Sequence, residues 1–194
     1  MLVRFLLLVA AACCPLFPQS ALVPGEPAPD RALRDVSGNP VRLSDWAGKK
    51  HVALLAQPSK TAAGWTDTVR RLAALDTVLL FDSGPAATVL VDRAGIVRRV
   101  MAGRTLSGAD LEEFVATWQA GKTYYIAHCA RCHGNDADEV WCDPNPLIGI
   151  SHRRTPDEIR EHLRMTPLGD EVIIRGESIK KYQVEAILIY VSSL

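Results

Sequence analysis

Cys129-Ala130-Arg131-Cys132-His133 is the stretch around which the chain is organised. Two thiols three positions apart, closed at once by an imidazole, form the attachment pattern of a c-type haem. On a helical turn Cys129 and Cys132 share one face, within reach of the two vinyl groups of a porphyrin as thioethers. His133 then faces the ring with a nitrogen towards the iron. Iron held by His, often with Met opposite, is an electron-transfer centre. A zinc site would need a second pair of ligands, for which His128, Cys142 and His152 are the candidates. A bare Cys-x-x-Cys also serves as a redox dithiol. Neither alternative accounts for the imidazole that follows directly. One covalent haem c is therefore the expected cofactor.

The chain of 194 residues has room for two small domains, and its 48% apolar and 23% charged content is that of a globular protein. Its net charge of zero argues against nucleic acid or an anionic membrane surface as partner. Cysteines stand at 13, 14, 129, 132 and 142, with none from Pro15 to His128.

Residues 1–21 read as a secretory signal peptide. Arg4 is the lone charge, Phe5 to Cys14 is an apolar run shorter than the roughly 20 residues that span a bilayer, and Ser20-Ala21 offers a cleavage point. Ala10-Ala11-Ala12-Cys13 resembles a bacterial lipoprotein signal with Cys13 or Cys14 bearing the lipid, although the usual branched residue three before the cysteine is missing. Both readings place the mature chain outside the cytoplasm, periplasmic or otherwise exported. The second adds membrane association through a lipid anchor.

Residues 22–118 alternate short strands and helices. Arg31 to Val36 and Val41 to Leu43 flank the turn signal Ser37-Gly38-Asn39-Pro40. His51 to Ala56 is an apolar strand, and Thr61 to Leu75 a helix with Trp65, Val69, Leu72 and Leu75 on one face. Val78 to Phe81 is a further strand. Ala87 to Asp92 and Ile96 to Val100 pair across Arg93-Ala94-Gly95. Ser107 caps a helix from Ala109 to Trp118. Pro27-Ala28-Pro29-Asp30 and Val41-Arg42-Leu43-Ser44-Asp45-Trp46-Ala47-Gly48-Lys49 resemble the opening of the peroxiredoxin and thiol:disulfide-reductase branch of the thioredoxin fold. Pro85 to Ile96 resembles that branch's cis-proline strand and hairpin, with Pro85 as the candidate cis residue. An α/β thioredoxin-like domain is implied. Where the family carries its nucleophilic cysteine, this chain has Gln57-Pro58-Ser59-Lys60-Thr61-Ala62. Thiol exchange and peroxide reduction both need a thiolate, and Ser59 has no evident base beside it. The expected role is a scaffold or docking module, and a relic of a lost activity fits equally.

Residues 119–194 follow a different pattern. Gly121, Tyr125 and Cys129 are spaced four apart on one helix, and Tyr182 to Val191 is a second helix with Val184, Ile187, Leu188 and Val191 at helical spacing. The arrangement is similar to class I cytochrome c, in which a first helix with Gly and an aromatic crosses a last helix with an aliphatic and an aromatic. The matching residues are Gly121 and Tyr125 against Ile187 and Tyr190. The resemblance implies an all-α domain, a Pro-rich loop at Pro144 to Gly149 beside the proximal His, and a distal methionine. Thr155-Pro156-Asp157-Glu158 is a helix start. Met165, followed by Thr166-Pro167, is the candidate distal ligand. Its spacing from His133 is shorter than the family's, whose position falls nearer Val172 or Ile173. His152, His162 and an open or water-bound site are the alternatives. Cys142 is left over as a buried residue, a free thiol or, less in keeping with its loop, an iron ligand.

These readings imply an exported monohaem cytochrome c behind a cysteine-free thioredoxin-like domain, carrying single electrons between redox protein partners. The rivals are a haem enzyme or gas sensor with an open distal position, and a structural subunit that binds partners through its first half. The first half, as residues 22–118, is expected to fold alone and to reduce insulin or consume peroxide no faster than buffer. Turnover in either assay would contradict the scaffold role.

Overall fold

The structure is a computed structural model that describes residues 22–56, 62–84, 87–135, 137, 147–150, 153–163 and 165–194. The signal segment, the Gln57–Thr61 stretch, Pro85, Cys142, the Pro144–Pro146 loop and His152 all lie outside the described residues.

The first half is a six-stranded mixed sheet. β1 (Ala32–Arg34) and β2 (Pro40–Arg42) form a hairpin turned by Asp35, whose carboxylate accepts from the Ser37 and Asn39 amides, with Gly38 at φ +86°. β3 (His51–Ala56) and β4 (Thr77–Asp82) run parallel, joined by a 3-10 turn (Ala62–Trp65) and α1 (Thr66–Ala74). β5 (Ala87–Val91) and β6 (Val97–Ala102) pair antiparallel across the expected turn, where Gly95 sits at φ +81°. The strand order is β2-β1-β4-β3-β5-β6. A βαβ unit followed by a ββα unit, with β3 central between its parallel and antiparallel neighbours, is a thioredoxin-like α/β fold.

β3 is apolar from Val52 to Ala56 because both faces of the sheet are covered there. Val52 and Leu54 point to one side, where they meet Leu33, Leu80, Val89 and Val97. Ala53 and Leu55 point to the other, with Leu79, Leu90 and Leu72 of α1. That second cluster does not stop at the first half. It continues through Leu111, Val115 and Trp118 to Tyr125, Ile187 and Tyr190.

The continuity has one cause. The helix expected over 109–118 and the helix expected to carry Gly121 and Tyr125 are a single element, α2 (Gly108–His128), capped by Ser107, whose Oγ accepts from the Asp110 amide. The expected 118/119 boundary therefore falls inside a helix. A fragment cut after Trp118 would lose the Ser193 hydroxyl, which accepts from the Trp118 indole N–H at 2.9 Å, and the Tyr190 ring beside it.

After α2 come α3 (Ala130–His133), α4 (Pro156–His162), β7 (Thr166–Leu168), β8 (Glu171–Ile174), β9 (Glu177–Lys180) and α5 (Lys181–Val191). The expectation of an all-α second part is corrected here, because β7, β8 and β9 form an antiparallel three-stranded sheet. The β-branched run Val172-Ile173-Ile174 favours extended backbone. Gly169 at φ +61° and the pair Arg175 at +52° and Gly176 at +86° make the two turns. Among the described residues no helix is long and apolar enough to cross a membrane.

α2 and α5 pack closely at Gly121. A Cβ there would lie 2.0 Å from the Ala186 carbonyl oxygen and 2.9 Å from the Tyr190 Cβ. In an exposed helix Gly→Ala gains up to about 1 kcal/mol. Here the helices would have to separate, and overpacking costs about 1–3 kcal/mol. Gly121→Ala is thus expected to lower the denaturant midpoint, reversing the sign that helix propensity alone predicts.

His51 opens β3 with its ring edge-on to Trp118, centroids 5.2 Å apart, and its Nδ1 accepts the Arg93 backbone N–H at 3.1 Å. Burial holds its pKa below the ordinary 6.5; Asp92 and Asp76 oppose the shift, and Arg93 and Lys122 add to it. The neutral ring is therefore the folded form, and the unfolded chain takes up the proton first as pH falls. Stability from this group is complete above the ordinary value and is lost as pH drops below about 6.5. Denaturant midpoints between pH 5 and 8 should show this fall, and His51→Asn, which keeps an acceptor for Arg93, should flatten it.

Candidate functional site

α2 delivers Cys129 at its C-terminal end. The Cys129 amide donates to the Tyr125 carbonyl at 2.7 Å, and Cys129 in turn starts the single turn α3. The Cys132 and His133 amides both donate to the Cys129 carbonyl at 3.1 Å, so both thiols and the imidazole are presented by one turn. Gly134, at φ +72°, takes the chain out of it, and its amide donates to the Ala130 carbonyl at 2.8 Å. A left-handed residue is needed there, and glycine adopts it at no steric cost. Below the turn, fully buried Tyr125 donates its phenol to the Gly134 carbonyl at 2.8 Å.

The turn forms one wall of a cavity of about 450 Å³. Cys129, Cys132 and His133 line it together with His128 and Tyr125. Apolar walls come from Ile159 of α4 and Leu163 just after it, from Ile187, Leu188 and Val191 of α5, and from Leu147 and Ile150. Ile174 and the exposed Arg153, Arg154 and Arg175 complete the lining. The loop carrying Leu147 is tied back, since the Leu147 and Ile148 amides donate to the carbonyl of buried Ala137 and the Gly149 amide to that of Leu194. The volume lies within the range of small-molecule and cofactor sites, about 300–1,000 Å³.

Neither Cys129 nor Cys132 is in a disulfide. Burial, aided by Glu177 and Cys132 and opposed by Arg175, pushes the Cys129 thiol up to about 11. Cys129 is therefore held as the protonated thiol at neutral pH. Among the described residues, no group of three or more His, Cys, Asp or Glu gathers as a metal site. His128 Nδ1 lies 3.3 Å from Glu177 of β9, which links the end of α2 to the strand pair.

Sequence reasoning located Cys129, Cys132, His133, Gly121, Tyr125, Ile187 and Tyr190, and the structure brings them together. Met165 is not among the residues that line the cavity. It is half-buried against the apolar core, and among the described residues no methionine lines the cavity. His162 falls at the end of α4, with its side chain outside the described set. Sequence reasoning missed Ile174 and Arg175, which reach the cavity from the end of β8 and its turn. The signal was Arg175-Gly176 after a β-branched run, a two-residue hairpin pattern. It also missed Arg153 and Arg154, next to the recognised cap Thr155.

No family model matches this chain, and no curated protein matches it. Among solved structures it is similar to the mitochondrial 2-Cys peroxiredoxin of Plasmodium falciparum, at 9% identity over 52% of this chain and 96% of that one, with a TM-score of 0.42. It is also similar to the reduced 2-Cys peroxiredoxin of Plasmodium vivax, at 15% identity over 54% and 85%, with a TM-score of 0.41. A putative protein disulfide isomerase of Bacteroides thetaiotaomicron matches at 18% identity over 49% and 89%, with a TM-score of 0.34. The strand order described above, rather than these scores, carries the thioredoxin-like assignment.

Proposed function

We propose that this chain is an exported monohaem c-type cytochrome that carries single electrons between redox protein partners, with its thioredoxin-like half as a scaffold that has no thiol chemistry. The observation that carries the reading is the cavity of about 450 Å³ whose wall is the Cys129–His133 turn. A haem is a flat apolar ring with two carboxylates at one edge, and the donor set fits it. Cys129 and Cys132 would hold the ring as thioethers and His133 would ligate the iron. Ile159, Ile187, Leu188 and Val191, each nearly inaccessible to solvent, would exclude water from the ring faces. Arg153, Arg154 and Arg175 supply positive charge for the carboxylates. When bound, the group supplies a one-electron iron couple. The residues at positions 1–21 support export, with or without a lipid anchor.

A second reading, a haem enzyme or gas sensor with an open distal position, is favoured by Met165, which packs on the core and is not among the residues that line the cavity.

Acid–acetone extraction of the exported protein tests the haem assignment. The colour should stay with the polypeptide, and Cys129→Ala and Cys132→Ala should each weaken attachment; haem released freely into the solvent would sink both readings. Met165→Ala then separates the two. Loss of a Met-type charge-transfer band with a lower potential supports a Met-ligated carrier. An unchanged spectrum, with carbon monoxide bound readily by the native protein, supports the open site.

A further inference from the structure

Tyr125 takes part in the packing of α2 against α5 and also bonds to the residue that follows the turn holding the candidate ligands. Its ring lies 5.3 Å from that of Tyr190, which is 6.1 Å from Trp118. All three side chains are buried, and the Trp118 N–H is satisfied by Ser193, which also donates to the Tyr190 carbonyl at 2.5 Å. From this fixed stack the Tyr125 phenol reaches out nine residues along the chain to the Gly134 carbonyl, at 2.8 Å. Phenylalanine would fill the same space, so the hydroxyl is not needed for packing. A buried hydroxyl without an acceptor is costly, so the pair holds only while Gly134 stays in place. Gly134 is covalently next to His133.

Resting on the haem reading above, we propose that Tyr125 is a positioning residue: its hydroxyl clamps the peptide after His133 and thereby fixes the Cys129–His133 turn before and after the cofactor is attached. The amides of Cys129, Cys132, His133 and Gly134 are bonded within the turn or to α2, and the Gly134 carbonyl at its exit also accepts from the Ala137 amide at 3.3 Å. The Tyr125 hydroxyl, at 2.8 Å, ties that same carbonyl directly to the packed face of α2.

The test uses Tyr125→Phe in the full chain, with far-ultraviolet circular dichroism to confirm the fold. In the haem-free protein, alkylation of Cys129 and Cys132 by iodoacetamide should be about tenfold faster than in the wild type, the effect of one buried hydrogen bond on a local opening. Ser193→Ala, which removes a buried hydrogen bond on the same helix pair away from the turn, should alkylate at the wild-type rate. In the haem-loaded protein Tyr125→Phe should retain the covalent haem and show a shifted midpoint potential. Alkylation of Tyr125→Phe at the wild-type rate would overturn the clamp, as would an equal acceleration in Ser193→Ala. Should Tyr125→Phe not fold, amide exchange in the wild type decides: Cys132, His133 and Gly134 should exchange as slowly as Tyr125, and fast exchange there refutes the clamp. If the wild type takes up no haem, the haem reading fails, while the alkylation comparison still decides whether the hydroxyl holds the turn.

Discussion

The Ala186 carbonyl lies where a side chain on position 121 would begin, 2.0 Å from an ideal Cβ. Only a residue without a Cβ lets α2 and α5 approach this closely. Much of the molecule follows from that contact. Above it, Trp118 reaches Ser193 and Tyr190 at the end of α5. Below it, Tyr125 packs on Tyr190 and carries the turn of thiols and imidazole. α5 in turn places Ile187, Leu188 and Val191 on the cavity wall facing that turn. Separating the helices would open the cavity and unseat the residues that line it.

The same helix ties the site to the thioredoxin-like half. The first turns of α2 lie over α1, where a Cβ on Gly108 would fall 2.1 Å from the Thr68 hydroxyl, and Gln119 donates to the Leu75 carbonyl at 2.5 Å. Arg71 of α1 pairs with Glu112 of α2. Exposed pairs of this kind contribute little. The apolar cluster from Leu55 through Trp118 to Tyr190 holds the halves together more strongly, because it removes large side chains from water. A half that has no cysteine still supplies one face of its sheet as the base on which the second half is built. Scaffold is then a physical description: the sheet buries the N-terminal part of the helix whose C-terminal end presents the chemistry.

Some features were legible because they are local. Ser107 and Thr155 cap the helices they were read to cap, since the bonds that satisfy a helix start come from residues three apart. The β5–β6 hairpin was legible from Arg93-Ala94-Gly95. The run Leu111, Val115, Trp118, Gly121, Tyr125 keeps three- and four-residue steps without a break, so the continuity of α2 was written there too. Reading Gly121 as the opening of a new domain hid it. The strands at 166–180 were carried by Gly169, Arg175-Gly176 and three β-branched residues, and an expected all-α domain outweighed those signs.

Spacing along the chain determined by itself that two thiols and an imidazole share one turn. It also determined that no sulfur nucleophile exists from Pro15 to His128, and which face of α5 turns inward. These depend on covalent order and backbone period, and both are properties of the sequence alone. Tertiary structure decided that one helix serves both halves, that α4, α5 and the β8–β9 turn close the cavity, and that Met165 packs on the core instead of lining it. Those depend on which distant surfaces can come within van der Waals reach, and that is settled by the packing of side chains from several elements at once.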